Sequence, residues 1–243
     1  MTLSRVRAVT LTVAIAGLVT ACATTVTGTP TAAPGQRSAT TSAPDEAAWI
    51  ASVLPDATEL SRLRGSQTDE ISPLIGDADD LRDTIIGSQV TESQCVGVVS
   101  PLESQTFDAA PVREVAYATL PDATFGVLAL PSADDARSLF ETFVNEWRQC
   151  DGTTVIKSDG ADTYENTISD VNATDRVLSA VTVMSTQSTG MRRRTERALG
   201  VAEDCIVEVE MPVAPSSARA PGTRSPAVEL AELMLTKVST AQR

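Results

Sequence analysis

The sequence predicts an α+β fold, a mixed or antiparallel β-sheet packed with helices, and three observations point there. Cys205, Val207, Val209 and Met211 alternate with Glu208 and Glu210, the period of a strand. Ala136, Leu139, Phe140, Phe143, Val144 and Trp147 recur at helical spacing, while Arg137, Glu141, Asn145 and Arg148 fall largely outside that face. Two strand-like runs flank Pro121 and Asp122, the signature of a hairpin. Strands joined partly by hairpins, with helices at both ends of the domain, favour α+β over a regular alternation of strand and helix.

Taken in order, Trp49, Ile50 and Val53 have helical spacing, Pro55 interrupts them, and Leu60 and Leu63 resume the pattern. A second helical stretch is expected from Asp79 to Ile86, and a third carrying Cys95, Val98 and Val99 before Pro101. Strands begin near Arg113: Val115, Tyr117 and Thr119 alternate with Glu114, Ala116 and Ala118, and the run Thr124 to Leu130 forms the other arm of the hairpin. Ser132 caps the amphipathic helix, and Asp134 and Asp135 occupy its first turn, where exposed amides favour negative charge. Further strands are expected at Thr153 to Ile156, around Tyr164 to Ile168 and from Arg176 to Met184, followed by a basic helical turn from Met191 to Leu199. In the strand from Cys205 to Met211, one face is expected to meet a core and the other water. A loop rich in Pro, Ser, Ala and Gly runs from Pro212 to Ser225. Ser225 and Pro226 then read as the cap and first turn of a last helix with Leu230, Leu233, Met234 and Val238 on one stripe.

The chain opens with Arg5 and Arg7 and an apolar run from Ala8 to Ala21, the shape of an export signal. The run is short of the roughly 20 apolar residues that span a bilayer. Leu18, Val19, Thr20, Ala21 and Cys22 resemble the lipobox of bacterial lipoproteins, in which the cysteine is acylated and becomes the mature N-terminus. The expected organisation is a signal peptide over 1–21, a lipidated Cys22 opening a Thr/Ala/Pro-rich tether over 22–44, and one domain over 45–243. Loss of 1–21 removes two arginines and no acid, leaving 17 basic against 32 acidic residues, a formal charge of −15. Such a surface repels nucleic acid and anionic headgroups, so the expected link to the membrane is the lipid on Cys22.

Histidine is absent, which excludes Ser-His and Cys-His nucleophile pairs, and the only lysines are Lys157 and Lys237. No Ser-x-x-Lys element, G-x-S-x-G elbow or phosphate-binding glycine loop occurs, and cysteines are too few for structural zinc. No cofactor and no metal site is expected. Asp77, Asp79, Asp80 and Asp83 lack the spacing of an EF-hand loop. A carboxylate-based hydrolase would need two acids converging in space. Arg192, Arg193 and Arg194 are the one basic cluster, a candidate contact for an anionic ligand or a partner's acidic patch, set against a solvated turn that offsets net charge. With Cys22 acylated, Cys95, Cys150 and Cys205 remain, an odd number that leaves the pairing open. Cys205, at an apolar strand position, reads as a buried thiol behaving as a small hydrophobe.

The order of pieces resembles the extracellular sensor domain family of actinobacteria, found on the receptor kinase PknH and in lipoproteins. The residues that carry the resemblance are Leu54, Pro55, Asp56 and Leu60, and Cys95 with Pro101 nearby. They continue with the strand ending at Leu130, the run Trp147, Arg148, Gln149, Cys150, Asp151, Gly152, and Arg197, Ala198, Leu199, Gly200 and Val201. The resemblance implies an α+β domain with a groove beside its sheet, and a disulfide between Cys95 and Cys150, with Cys150 to Cys205 the competing pair. The family's second cysteine pair is missing: Thr195 stands near one position and no cysteine follows Met211. The implied role is a non-enzymatic, extracytoplasmic ligand-binding or sensor-type lipoprotein on the cell membrane. Its ligand would be a small molecule, a lipid or an envelope component. The alternative is an envelope protein that works by docking a protein partner.

Overall fold

A computed structural model describes residues 49–65, 67–68, 70–85, 89–213 and 225–241. The expected signal peptide, Cys22, the tether and most of the Pro212 to Ser225 loop lie outside the described residues. The elements run α1 (49–53), α2 (Ala57–Arg64), β1 (Leu74–Gly76), β2 (Gln89–Val90), α3 (Val96–Val99), α4 (Ser104–Phe107), β3 (Glu114–Thr119) and β4 (Thr124–Ala129). They continue as α5 (Ala133–Cys150), β5 (Thr154–Ser158), β6 (Thr163–Ala173), β7 (Val177–Thr186), β8 (Arg192–Ala202), β9 (Cys205–Pro212) and α6 (Pro226–Thr240).

The strands form one antiparallel sheet in the order β1-β3-β4-β9-β8-β7-β6-β5-β2. β3 and β4 are the expected hairpin, and β5 to β9 form a meander that folds back to place β9 beside β4. The helix α5 makes this topology possible. Its 18 residues span about 27 Å at 1.5 Å per residue, close to the roughly 24 Å covered by the five strand spacings between β4 and β5. Ser132 accepts a hydrogen bond from Asp135 N (3.2 Å), as a cap should, and Ala136, Phe140, Phe143, Trp147 and Cys150 are buried.

Both faces of the sheet are covered. On one, Phe125, Val127, Val207 and Val209 pack against Leu230, Met234 and Leu235 of α6 and Ile50, Val53 and Leu60 of α1 and α2. On the other, Leu128, Ile206, Leu199, Leu178, Ile168 and Val155 pack against Phe140, Phe143 and Trp147 of α5. Lys237 of α6 ties the helical layer together, donating to Leu54 O (2.8 Å) and pairing with Glu59 (2.6 Å), which also closes the Asp56 capping box of α2.

Three expectations are corrected. Beyond the 3-10 turn Ala78–Asp80, residues 81–85 are not helical, because Arg82 pairs with the 102–104 segment instead: its N donates to Leu102 O (2.9 Å) and its O accepts from Ser104 N (2.8 Å). Residues 191–199 form no helical turn; from Arg192 on they belong to β8. Arg, Glu, Ala and Leu suit helices in isolation, but ladders to β7 and β9 on both sides override that weak preference. The second face of the Cys205 to Met211 strand does not meet water, since α5 and the 96–103 segment cover it and Glu208 is only 1% exposed.

Candidate functional site

The site lies where α5 stops covering the sheet. Val155 of β5 belongs to the core beneath α5, whereas Lys157, two residues on and on the same face, lines a cavity of about 430 Å³. Strand register builds the floor: Lys157 stands opposite Tyr164 of β6, Tyr164 opposite Thr186 of β7, and Asn166 opposite Met184. Thr84 and Val99 form the opposing wall, and Asp159 in the turn after β5 stands at the margin.

The wall is held by a buried polar clasp. Arg197 of β8, fully buried, donates to Val98 O (Nε, 3.0 Å) and to Gly97 O (Nη2, 3.0 Å), and pairs with Glu208 of β9 at 3.2 Å. Glu208 also accepts from Leu102 N at 2.6 Å. Leu102 takes a left-handed conformation (φ 58°), and its side chain fits against the sheet because position 126 is glycine: a Cβ there would lie 2.7 Å from Leu102 Cδ1. The guanidinium of Arg197 lies 5.7 Å from the ring of Trp147. Glu103, also buried, accepts from Thr84 N (3.1 Å) and from the Thr84 hydroxyl. A disulfide between Cys95 and Cys150, the pair implied by the family resemblance, joins the same segment to the end of α5.

The floor is different, because its polar groups are uncommitted. Among the described residues, Lys157 has no carboxylate within ion-pair distance, and no side-chain hydrogen bond engages Lys157, Tyr164 or Asn166. Thr186, opposite Tyr164 but outside the cavity lining, has a buried hydroxyl without a hydrogen-bond partner, as have Thr106 and, at one polar atom each, Glu114, Asp122 and Trp147. Burial pushes the Lys157 ammonium below the usual lysine value, Glu103 opposes this, Arg82 adds to it, and Glu210 and Asp159 oppose it further. The arrangement is a concave patch of donors with unused capacity, suited to holding a polar group.

The residues singled out from sequence distribute differently. Arg192, Arg193 and Arg194 do not form one patch, since they alternate across β8. Arg193 faces the α5 side, donating to Asp122 O (3.0 Å) and pairing with Glu210 (3.5 Å). Arg194 is on the opposite face, 4.0 Å from Asp170, which a register shift between Ser169 and Asn172 brings beside it. Asp77 and Asp80 cap the 78–80 turn, Asp83 accepts from the Ser104 hydroxyl, and no group of metal-ligating side chains occurs among the described residues. A larger depression of about 630 Å³ on the α6 side includes Asn172, Ser179, Arg194 and Val228, but it runs to Val213 and Ser225, the two ends of an undescribed stretch. Sequence reasoning missed Lys157, Tyr164, Asn166 and the Arg197–Glu208 pair as a group. The available signal was a charged residue inside an apolar strand: Arg197 before Ala198 and Leu199, and Glu208 between Val207 and Val209.

Cys205 is a buried thiol whose sulfur lies 3.5 Å from Asp204 Oδ1. Burial pushes its pKa from 9.0 up to about 12, with Glu114 and Glu203 adding to the effect. Because the thiolate is the nucleophile, iodoacetamide at pH 8 is expected to alkylate Cys205 in the native chain about 1,000 times more slowly than in the denatured chain. Intact-mass kinetics with and without denaturant would check this, and equal rates would refute it. The thiol's contribution to stability is present below the unfolded value and is lost as pH rises through the folded one.

Residues 44–237 match the family described as the PknH-like extracellular domain. Over 83 residues the chain is 35% identical to the serine/threonine-protein kinase PknH of Mycobacterium tuberculosis and to that of Mycobacterium bovis. That match covers 34% of this chain and 13% of each kinase, so the chain corresponds to a small part of those relatives. The crystal structure of the extracellular domain of PknH from Mycobacterium tuberculosis superposes with a TM-score of 0.64 at 19% identity, covering 79% of this chain and 96% of that one. At that identity the likeness is one of fold.

Proposed function

This chain belongs to the PknH-like extracellular domain family, and we propose that it works as a non-enzymatic, extracytoplasmic ligand-binding module of sensor type, held on the outer face of the cell membrane by a lipid on Cys22. The observation that carries the reading is the cavity floor: Lys157, Tyr164 and Asn166 line it without a side-chain hydrogen bond or ion pair among the described residues, while the buried Arg197 and Glu208 are paired with each other. A concave patch with a few convergent polar groups free to take a partner is the usual form of a binding site. The absence of histidine supports a binding role over nucleophilic catalysis. The lipobox-like run ending in Cys22 supports the anchor, and two or more acyl chains are needed for firm retention.

A second reading, docking of an envelope protein, is supported by Leu74 and Ile75, 39% and 42% exposed on the edge strand β1.

Two measurements on the full-length chain test the proposal. Cys22→Ser is expected to abolish incorporation of a palmitate analogue and to move the protein from the membrane fraction to the medium; retention of the label would refute the anchor. Solvent fractions of the producing cells' envelope are expected to raise the melting temperature of the intact chain by a few degrees, and to do so less for Tyr164→Ala with Asn166→Ala. If no fraction stabilises the wild-type protein, the binding reading fails.

A further inference from the structure

We infer that the Lys157 cavity recognises a singly charged carboxylate, carried on a short apolar body. This rests on the ligand-binding reading above and names the chemistry of the ligand. The first argument is charge. Of the protein's two lysines, Lys237 is fixed between Leu54 O and Glu59, whereas Lys157 is half-buried with no acid within 4.0 Å among the described residues. A cation taken partly out of water without a contact partner is costly, and a carboxylate entering the cavity would supply that partner.

Strand register supplies the second. Lys157 of β5 and Tyr164 of β6 occupy directly opposite positions, with Cβ atoms at the roughly 5 Å interval of cross-strand neighbours, and both side chains line the cavity. The Asn166 amide stands on the next rung of β6, lines the same cavity and makes no side-chain hydrogen bond among the described residues. A carboxylate has two oxygens and about four acceptor positions, enough to take the ammonium and one or two of these neutral donors together.

The number of charges follows from the surroundings. Glu103, Asp159 and Glu210 all act on Lys157 as negative neighbours, and the whole chain carries a formal charge of −13. Arg82, the other cation felt at Lys157, donates to Pro101 O (3.1 Å). These acids penalise every negative charge brought to Lys157, so a monoanion that pairs with the one lysine is favoured over a phosphate dianion, which would meet them with a charge left over. Apolar content comes from Val99 and Met184, the latter with a flexible thioether that adapts to irregular shapes. At about 430 Å³ the cavity exceeds a bare carboxylate and falls at the small end of ligand sites.

The test uses the full-length chain, with hexanoate, its neutral analogue hexanamide, and inorganic phosphate as probes followed by backbone amide shifts. Hexanoate is expected to give saturable shifts centred on Lys157, Tyr164 and Asn166. Hexanamide should bind at least ten times more weakly, and phosphate should not saturate. Lys157→Gln is expected to weaken hexanoate at least tenfold without lowering the melting temperature, since it removes an unpaired half-buried charge; should that variant fold poorly, Tyr164→Phe, which removes one donor and keeps the ring, is expected to weaken it several-fold. Equal binding of acid and amide, tighter binding of phosphate, no saturable binding of hexanoate, or indifference of the folded variants would each overturn the assignment. If an envelope fraction protects the cavity while hexanoate does not, the carboxylate assignment alone fails; if neither binds, the ligand-binding reading fails with it.

Discussion

Replacing Arg197 with methionine is expected to destabilise the fold by about 3 to 5 kcal/mol, the usual cost of breaking one partner out of a buried ion pair. The guanidinium satisfies the carbonyls of Val98 and Gly97, reaches that of Val209 at 3.4 Å, and faces the Glu208 carboxylate, all away from water. Methionine fills much of the volume and satisfies none of them. Glu208 would keep only the donor from Leu102 N. Burial already pushes the Glu208 carboxyl above the ordinary carboxylate value, with Arg197 and the Leu102 hydrogen bond opposing the rise. A raised folded-state value means that this group's contribution is fully present below the unfolded carboxylate range and is lost as pH rises through the folded value. Removing Arg197 removes the main opposing influence, so the urea midpoint of the variant should recover more than that of the wild type between pH 8 and pH 5. Arg197→Met combined with Glu208→Met is expected to be more stable than the single variant at pH 8, because no uncompensated charge is left. A loss under about 1 kcal/mol, or a double variant no better than the single, would show that the clasp contributes little beyond packing.

How much of this was legible in the sequence depended on how local each signal was. The cap of Ser132, the periodic face of α5, the Pro121–Asp122 hairpin and the Ser225–Pro226 start of α6 are set by neighbours in the chain, and the fold contains all of them. β1 and β2, with three and two residues, are too short to display a period and exist through pairing with β3 and β5. The helical turn expected over residues 191–199 failed because composition speaks for the isolated segment, whereas two ladders decide the strand. The candidate site was the least legible part. Lys157, Tyr164 and Met184 lie 7 and 20 residues apart in sequence and meet only through the register of a meander. Glu208 read as a solvated charge because strand alternation tells which residues share a face, and not that α5 and the 96–103 segment cover the second face as well. Arg197 is its natural partner only once β8 and β9 are paired.

Removing the disulfide, as Cys95→Ala with Cys150→Ala, is expected to cost about 4 kcal/mol at most, the loop-entropy value for a closure of this length, less whatever the denatured chain retains of its structure. The two half-cystines are 55 positions apart, and both are buried, at 1% and 0% exposure. Dithiothreitol without denaturant is therefore expected to reduce the native bond slowly, with reduction accelerating only where urea begins to open the fold; rapid reduction of the folded chain would contradict the burial of both sulfurs. The structural consequence should be local before it is global. The bond fixes the 93–99 segment against the end of α5, while the Arg197 clasp fixes the stretch from Gly97 to Leu102 against the sheet, so the wall of the Lys157 cavity hangs from two overlapping supports. With the covalent support gone, hydrogen exchange should rise first at residues 93–99 while β7 to β9 stay protected. Uniform loss of protection would mean instead that the bond acts on the unfolded chain alone. Combining the double alanine variant with Arg197→Met discriminates further. If both supports hold the same wall, their costs should depart from additivity, since a segment already released by one change has less left to lose to the other.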